Sequence, residues 1–254
     1  MNFQTALGLL RSIIIYRINP VHQWRLRHFY RRLAAPGDLI FDVGAHVGDR
    51  IGVFSAFGCR VVGVEPQPVL MRLLHMLYGK SRAVALEACA LGATPGTADI
   101  LISQRNPTVS SLSQSWVETT GNNPAFQGIA WNQREVVKVE TLDRLIARHG
   151  LPRFCKIDVE GFEAEVLKGL SQPVPLLSFE FLAAQPDLAR ACLVEIARIG
   201  DYRFNIAYGE RLQFMWTEWR TAQDLARHLE NLPPRVTSGD IYARHEARPQ
   251  DVDG

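Results

Sequence analysis

The sequence lacks any long apolar run. No stretch approaches the ~20 consecutive apolar residues that are needed to span a bilayer, so no membrane-spanning helix is predicted. The apolar run at residues 7–15 is interrupted by Arg11. No small-residue cleavage site follows this run, which argues against a secretory signal peptide.

Dense basic runs and paired cysteines are also missing. The formal net charge of the 254 residues is only +2, so charge does not indicate a nucleic-acid partner. None of the four cysteines forms a C-x-x-C pair, and three lie inside apolar runs. Buried, reduced thiols and a cytoplasmic location are therefore expected. The four are Cys59, Cys89, Cys155 and Cys192.

The length and an apolar content of 47% suit one α/β domain with a short appendage. We expect an N-terminal helical segment at 1–35, a main domain at 36–245 and a loose polar tail at 246–254. The first segment is expected to dock on the main domain. The alternative is peripheral contact of 1–35 with a membrane surface, helped by its arginines. These are Arg11, Arg17, Arg25 and Arg27.

Short apolar runs alternate with helical stretches after the turn at Pro36, Gly37 and Asp38. This alternation predicts a mostly parallel sheet with helices on both faces. The run at 97–102 is expected to form a hairpin with its predecessor across Pro95. Ligands of such sheets bind at the carboxyl ends of strands, so the polar residues there are the candidates for a site. Strands are predicted at 39–43, 60–65, 83–90, 97–102, 136–139, 154–159, 175–181, 202–207, 212–216 and 240–243.

The first strand runs directly into a glycine turn. Gly44 and Gly48 give the spacing Gly-x-x-x-Gly, whereas a dinucleotide fingerprint would need glycine where His46 and Asp49 stand. A pyrophosphate needs bare backbone amides, and the carboxylates of Asp42 and Asp49 would repel it. The same carboxylates would attract a sulfonium or an amino group.

The second and third strands end in residues that suit a nucleoside. Glu65, followed by the rigid Pro66, is placed to accept both hydroxyls of a ribose, as in NAD enzymes. The small residues Cys89 and Ala90 are placed either against an adenine ring or in ordinary packing.

A charged cluster closes an otherwise apolar strand at 154–159. Strand alternation places Lys156 and Asp158 on one face, where burial is costly unless the two are paired. Glu160 follows, and Glu180 lies at a similar height on the next strand. These residues are interpreted as a site, or alternatively as a structural network that Lys156 neutralises.

These motifs resemble the FkbM-type methyltransferases that use S-adenosylmethionine (SAM). The resemblance implies a Rossmann-like class I fold, with a seven-stranded sheet whose last strand is antiparallel. It implies SAM as cofactor and a hydroxyl of a sugar, glycan or natural product as acceptor. His46 departs from the family, in which Asn is frequent. The motifs lie at 42–49, 64–66, 110–112, 139–143 and 156–163.

The resemblance also implies roles for individual residues. Asp42 and Gly44 would lie along the methionine part of SAM, Glu65 would hold the ribose, and Asp158 would sit near the transferred methyl group. We expect Asp158 or Glu160 to orient or deprotonate the acceptor hydroxyl.

Lys156 would tune the charge of these carboxylates, and His46 is a weaker candidate for the base. A divalent metal on Asp158, Glu160 and Glu180 would be Mg²⁺ or Ca²⁺, but the carboxylates are explained without it.

The aperiodic stretch 103–134 is a candidate for acceptor recognition, because a loop of this length in a compact domain is often functional. Its Trp116, Phe126 and Trp131 would either stack on an acceptor or cover the core. Two other functions stay open from the sequence: an NAD-dependent oxidoreductase and a non-catalytic SAM-binding protein.

Overall fold

The computed structural model describes residues 3–103, 109–121 and 128–246. Seven strands form the main sheet in the order β3-β2-β1-β7-β8-β10-β9, and only β10 runs antiparallel to its neighbours. A second sheet has the order β4-β6-β5. The strands are β1 Leu39–Val43, β2 Arg60–Val64, β3 Val84–Glu87, β4 Ala90–Leu91, β5 Gly96–Ile102, β6 Gln133–Glu140, β7 Phe154–Ile157, β8 Leu176–Leu182, β9 Tyr202–Tyr208 and β10 Ser238–His245.

Two of the expected strands differ in the structure. The run at 83–90 is divided between β3 in the main sheet and β4 in the small sheet, and β5 pairs with β6, so the expected hairpin across Pro95 is wrong. The expected strand at 212–216 is also wrong. Leu212 has a φ of +50°, which interrupts an extended chain, and the stretch keeps one backbone bond to β9, from Met215 N to Ile206 O.

Helices cover both faces of the main sheet, and side-chain caps fix several of their starts. Asn19 accepts hydrogen bonds from the first turn of α2, and Thr141 caps α6. The helices are α1 Phe3–Ser12, α2 Pro20–Tyr30, α3 Asp49–Ala56, α4 Pro68–Tyr78, α5 Gln114–Gly121, α6 Leu142–His149, α7 Glu163–Lys168, α8 Pro186–Ile199 and α9 Ala222–Glu230; α1 continues into a π-helical stretch, Ile13–Ile18.

Strand alternation divides the core between the two faces of the sheet. Phe41 and Val43 of β1 belong to the cluster that packs under α6, α7 and α8. Ile40 belongs to the cluster that also contains residues of α2 and α3. Asp42 alternates with its neighbours and therefore lies on the α2 and α3 face, 2% exposed.

The N-terminal segment packs against the turn that follows β1. Arg17 Nη1 donates to the carbonyl oxygens of Val47 at 3.2 Å and Gly48 at 3.1 Å. Leu9 forms a buried cluster with Val47 and Leu70. Nothing among the described helices is long and apolar enough to cross a membrane. The four cysteines are free and buried, in agreement with the sequence.

Candidate functional site

A cleft opens at the carboxyl ends of β1, β2 and β7. Its lining combines apolar side chains with a few polar ones. The cleft is lined by Val43, Gly44, His46, Val64, Glu65, Pro66, Gln67, Cys89, Ala90, Leu91, Ile100, Ser110, Leu112, Asp158, Val159, Glu160 and Phe162.

Gly44 permits the close approach of β1 to the chain that leaves β7. Its φ is +83°, and a Cβ at this position would lie 1.8 Å from the carbonyl oxygen of Asp158. Any other residue would therefore force the two chains apart. The backbone of Asp158 fills the space where a side chain at this position would lie.

Glu65 is held by the backbone at the centre of the cleft. Its Oε2 accepts a hydrogen bond from His46 N at 3.0 Å, and its Oε1 accepts one from Gln67 N at 2.9 Å. Burial raises the pKa of Glu65 to about 7. Each oxygen retains a second lone pair, so the carboxylate is oriented to accept two hydroxyls from one ligand.

The loop from Asp158 to Glu163 is fixed from two sides. Glu163 Oε1 accepts from Val159 N at 3.1 Å and Gly161 N at 3.2 Å. On the other side, Gly161 has a φ of +87°, and an added Cβ would lie 2.1 Å from the ring of Trp116. The motif 156–163 thus contains a residue, Glu163, whose role is to shape the loop.

Lys156 lies behind the cleft and is 1% exposed. Its Nζ is 2.8 Å from Asp158 Oδ2 and 3.4 Å from Asp240 Oδ1. Burial alone would lower the pKa of Lys156, but the two carboxylates outweigh burial and the pKa is raised. The lysine is therefore a cation that holds Asp158 in place.

Asp158 shows the complementary shift. Burial raises its pKa, yet Lys156 and Arg50 outweigh burial and the pKa lies below the usual value. Arg50 Nη2 approaches Asp158 Oδ2 at 3.9 Å. Asp158 therefore presents a fixed negative charge to the cleft.

Glu160 and Glu180 behave in the opposite way. Burial, followed by repulsion from nearby carboxylates, raises the pKa of both groups well above that of a solvated glutamate. Carboxylate oxygens of Asp158, Glu160 and Glu180 lie within 4.8 Å of one another. The predicted convergence of these residues is therefore present, with Asp158 ionised and two proton-binding carboxyls beside it.

His46 lines the cleft with a neutral imidazole. Burial lowers the pKa of His46 to about 4. Its buried Nε2 has no hydrogen-bond partner in the part of the chain that the structure describes. The ring of Tyr16 packs edge-on against the imidazole of His46, with 6.1 Å between the ring centroids. A ligand in the cleft would find an unused acceptor or donor at this position.

Three predicted site residues do not line the cleft. Lys156 lies behind the cleft and pairs with Asp158. Asp42 is buried on the α2 and α3 face, where burial raises its pKa to about 7. Gly48 lies beneath α4, where Tyr78 OH donates to its carbonyl at 2.6 Å. The other predicted residues line the cleft: Gly44, His46, Glu65, Pro66, Ala90, Asp158 and Glu160.

Four residues that contribute to the site were not among the candidates from the sequence. Arg50 follows a predicted turn and has no distinguishing spacing, while Asp240 comes from the last strand. Gln67 and Ser110 both line the cleft and hydrogen-bond to each other at 3.3 Å. Ser110 belongs to a motif that carried the resemblance, so this residue was recognisable as a candidate.

The aromatic residues of 103–134 are placed differently from the expectation of an acceptor surface. Trp116 lies on α5, 2% exposed and packed on Gly161, so it covers the site loop and does not present a stacking face. Trp131 meets Trp116 edge-on at 6.0 Å, and its Nε1 donates to Val109 O at 2.7 Å. Phe126 lies outside the described residues.

Comparison with known proteins gives a family match and several distant structures. Residues 42–232 match the methyltransferase FkbM domain. No curated protein matches the sequence. An O-methyltransferase from Bacillus cereus in complex with SAH is 11% identical, with a TM-score of 0.46 over 97% of this chain and 92% of that chain. A TehB-like SAM-dependent methyltransferase from Corynebacterium glutamicum is 10% identical, with a TM-score of 0.46 over 93% and 94%.

The seven-stranded sheet with its antiparallel last strand, and the cleft at its carboxyl edge, define a class I SAM-dependent methyltransferase. This confirms the fold that the resemblance implied. The match covers most of the chain, so the protein belongs to the FkbM methyltransferase family. Membership contradicts the alternative of an NAD-dependent oxidoreductase.

The residues of the cleft fit SAM, the cofactor of this class. The two backbone-held oxygens of Glu65 suit a pair of ribose hydroxyls. The ionised Asp158 and the unpartnered Nε2 of His46 supply polar groups at the other side of the cleft lining. An apolar wall that includes Cys89, Ala90 and Leu91 suits an adenine ring.

The first prediction concerns the close approach at Gly44. The change Gly44→Ala should lower the free energy of unfolding by about 3 kcal/mol or more, because it adds a clash with Asp158 O to the left-handed strain. Urea unfolding measures this cost. Gly37→Ala is the control, since Gly37 has a φ of +90° with open space around it and should lose only about 1–2 kcal/mol. Equal losses in the two variants would contradict the packing argument.

The second prediction concerns the pH dependence of stability. Burial raises the pKa of Glu163 to about 7 from 4.5, so the folded protein favours the protonated form. The protonated Glu163 side chain therefore contributes its full stabilisation below pH 4.5, and this stabilisation is lost as the pH rises through 7.

The change Glu163→Gln keeps the acceptor oxygen and removes the titration. Between pH 5 and 8 the free energy of unfolding should therefore fall less in this variant than in the wild type, by roughly 2.5 kcal/mol. Urea unfolding at both pH values measures the difference. Glu165→Gln, on the same helix but 38% exposed, is the control. A variant with an unchanged pH slope would refute the buried titration.

Proposed function

We propose that this methyltransferase transfers the methyl group of SAM to a hydroxyl oxygen of a sugar, glycan or natural-product acceptor. The observation that carries the proposal is the pair of carboxyl groups that line the cleft, where Lys156 helps to hold the pKa of Asp158 low and burial raises the pKa of Glu160. A hydroxyl acceptor must lose its proton during transfer, and a carboxylate with a raised pKa is suited to receive it.

We assign the cofactor contacts as follows. Glu65 accepts the ribose hydroxyls, which charge-assisted bonds would stabilise by roughly 1.5–3 kcal/mol each. Pro66 and Ala90 border the adenine, and Gly44 and His46 border the methionine part. When bound, SAM supplies a methyl group that its sulfonium has already activated, so the protein mainly positions the acceptor.

Asp158 and Glu160 take different roles because their charges differ. Asp158 is paired with Lys156 at 2.8 Å and is therefore a weak base. It orients the acceptor hydroxyl by accepting a hydrogen bond. Glu160 lines the same cleft without such a cation, and in its ionised form it receives the proton. His46 is the second candidate for the base, since its imidazole is neutral and its Nε2 is unpartnered within the described residues.

The nature of the product tests the proposed reaction. The protein is incubated with SAM and a panel of sugars, nucleotide sugars, glycans and polyketide-type alcohols, and the products are examined by mass spectrometry and NMR. An acceptor that gains one methyl ether, together with SAH, supports oxygen methylation. A methyl group found on nitrogen or carbon would refute it. Binding of SAM without turnover across the panel would favour a non-catalytic SAM-binding protein.

The third prediction tests the different roles assigned to Glu160 and Asp158. Glu160→Gln should lower kcat by a factor of about 10²–10⁴ and remove the rise of kcat with pH that ionisation of Glu160 produces in the wild type. Asp158→Asn should also abolish turnover, while Asp240 continues to pair with Lys156 and keeps the fold. The variant Glu165→Gln, outside the cleft, is the activity control. If Glu160→Gln retained both turnover and the pH profile, Glu160 would not be the base.

The fourth prediction concerns a divalent metal. The three carboxylates within 4.8 Å would suit Mg²⁺ or Ca²⁺, but Lys156 already supplies a positive charge to Asp158. We therefore expect methyl transfer to continue in excess EDTA at the rate seen before chelation. Loss of activity in EDTA that Mg²⁺ restores would instead assign these carboxylates to a metal.

A further inference from the structure

The N-terminal segment exposes large apolar side chains at close spacing along the chain. Thirteen such side chains are exposed in the described residues, and seven of them lie between positions 7 and 24, with exposures of 41% to 65%. We call these seven the N-terminal apolar surface. They are Leu7, Leu10, Ile14, Ile15, Ile18, Val21 and Trp24.

The inward side of the same segment is already occupied. Leu9, Ile13 and Tyr16 belong to a cluster with Val47 and Leu70 that fastens the segment to the main domain. Docking within the protein therefore does not use the N-terminal apolar surface. A helix that is apolar on all sides is normally covered on all sides, and an apolar cluster of this kind marks an interaction site.

The charge of the segment identifies what covers it. Residues 1–37 contain six arginines and no acidic residue, so the other 217 residues carry a formal net charge of −4. Arg17 is turned inward to the glycine turn. Arg11, Arg25 and Arg27 are exposed and form no ion pair with any residue in the described ranges.

A second copy of the chain is a poor partner for this surface. In a symmetric dimer the same patch would face itself. The arginines of the two copies would then approach one another with no carboxylate from either segment between them. An anionic surface would instead neutralise them.

We propose that the N-terminal apolar surface docks this protein on an anionic lipid membrane. Its aliphatic side chains and Trp24 enter the boundary between headgroups and acyl chains, while Arg11, Arg25 and Arg27 contact lipid phosphates. Apolar residues including tryptophan, combined with arginine and no acidic residue, are the composition of helices that lie in a membrane interface.

Docking would bring the cleft close to the bilayer. The segment lies between the N-terminal apolar surface and the glycine turn, which Arg17 contacts directly. The turn is therefore roughly one helix diameter, ~10–12 Å, from the docked surface. This inference concerns location and does not depend on the acceptor proposed above.

Vesicle sedimentation of the full-length protein tests the proposal. We expect the protein to sediment with vesicles of phosphatidylcholine and phosphatidylglycerol and much less with phosphatidylcholine alone, and added salt should release it. The double variant Ile14→Ser with Ile18→Ser should bind the anionic vesicles roughly tenfold more weakly. Arg25→Gln with Arg27→Gln should lose the preference for anionic vesicles.

Matched controls lie elsewhere on the surface. Val194→Ser removes an apolar side chain that is 68% exposed on α8, and Arg82→Gln removes an exposed arginine; both should sediment like the wild type. Circular dichroism checks that each variant is folded.

Failure of the wild type to sediment with anionic vesicles would overturn the proposal. Unaltered sedimentation of both double variants would also overturn it. A dimer in size-exclusion chromatography that Ile14→Ser with Ile18→Ser dissociates would show that a second copy covers the surface instead.

Discussion

The site depends on one buried ion pair, between Lys156 and Asp158. A lysine that is 1% exposed is stable as a cation only when carboxylates surround it, and β7 and β10 bring Asp158 and Asp240 to it. The pair fixes the carboxylate of Asp158 at the edge of the cleft. Its backbone is fixed as well, because Gly44 lets the end of β1 approach the carbonyl of Asp158.

This arrangement gives neighbouring carboxyl groups different chemistry. Asp158 keeps its negative charge because Lys156 and Arg50 face it, while Glu160 and Glu180 are partly buried beside that charge and have raised pKa values. The buried Lys156 thus makes the pKa of Asp158 differ from those of Glu160 and Glu180, which can exchange a proton. Such separation is what acid–base chemistry near neutral pH requires.

The strand ends could be predicted because they depend on local patterns. An apolar run followed by Gly44, Glu65 or Asp158 indicates a strand that delivers a polar group to one edge of a parallel sheet. Long-range pairing has no such local signature. The approach of Asp240 to Lys156 depends on the register of β10 with β8, and the division of 83–90 between two sheets depends on β6.

The side of the sheet towards which a side chain points was harder to predict than the strand on which the residue lies. Asp42 stands at the end of β1, like the other site residues, yet alternation turns it away from the cleft towards α2 and α3. Trp116 has the composition of a binding surface but packs on Gly161, since the positive φ of that glycine leaves room for an indole ring. The N-terminal segment shows the converse. Its apolar residues indicated docking, and the structure distributes them over both an inner and an outer side.

Calorimetric titration with SAM and with NAD is the sharpest test of the cleft as a SAM site, because Glu65 alone would suit either nucleoside. The account predicts that SAM binds at one site per chain, that NAD releases no heat, and that Glu65→Ala weakens SAM binding by at least about tenfold. The exposed Glu165→Ala variant should bind SAM like the wild type. Binding of NAD, or unchanged SAM affinity in Glu65→Ala, would contradict the assignment of the cleft.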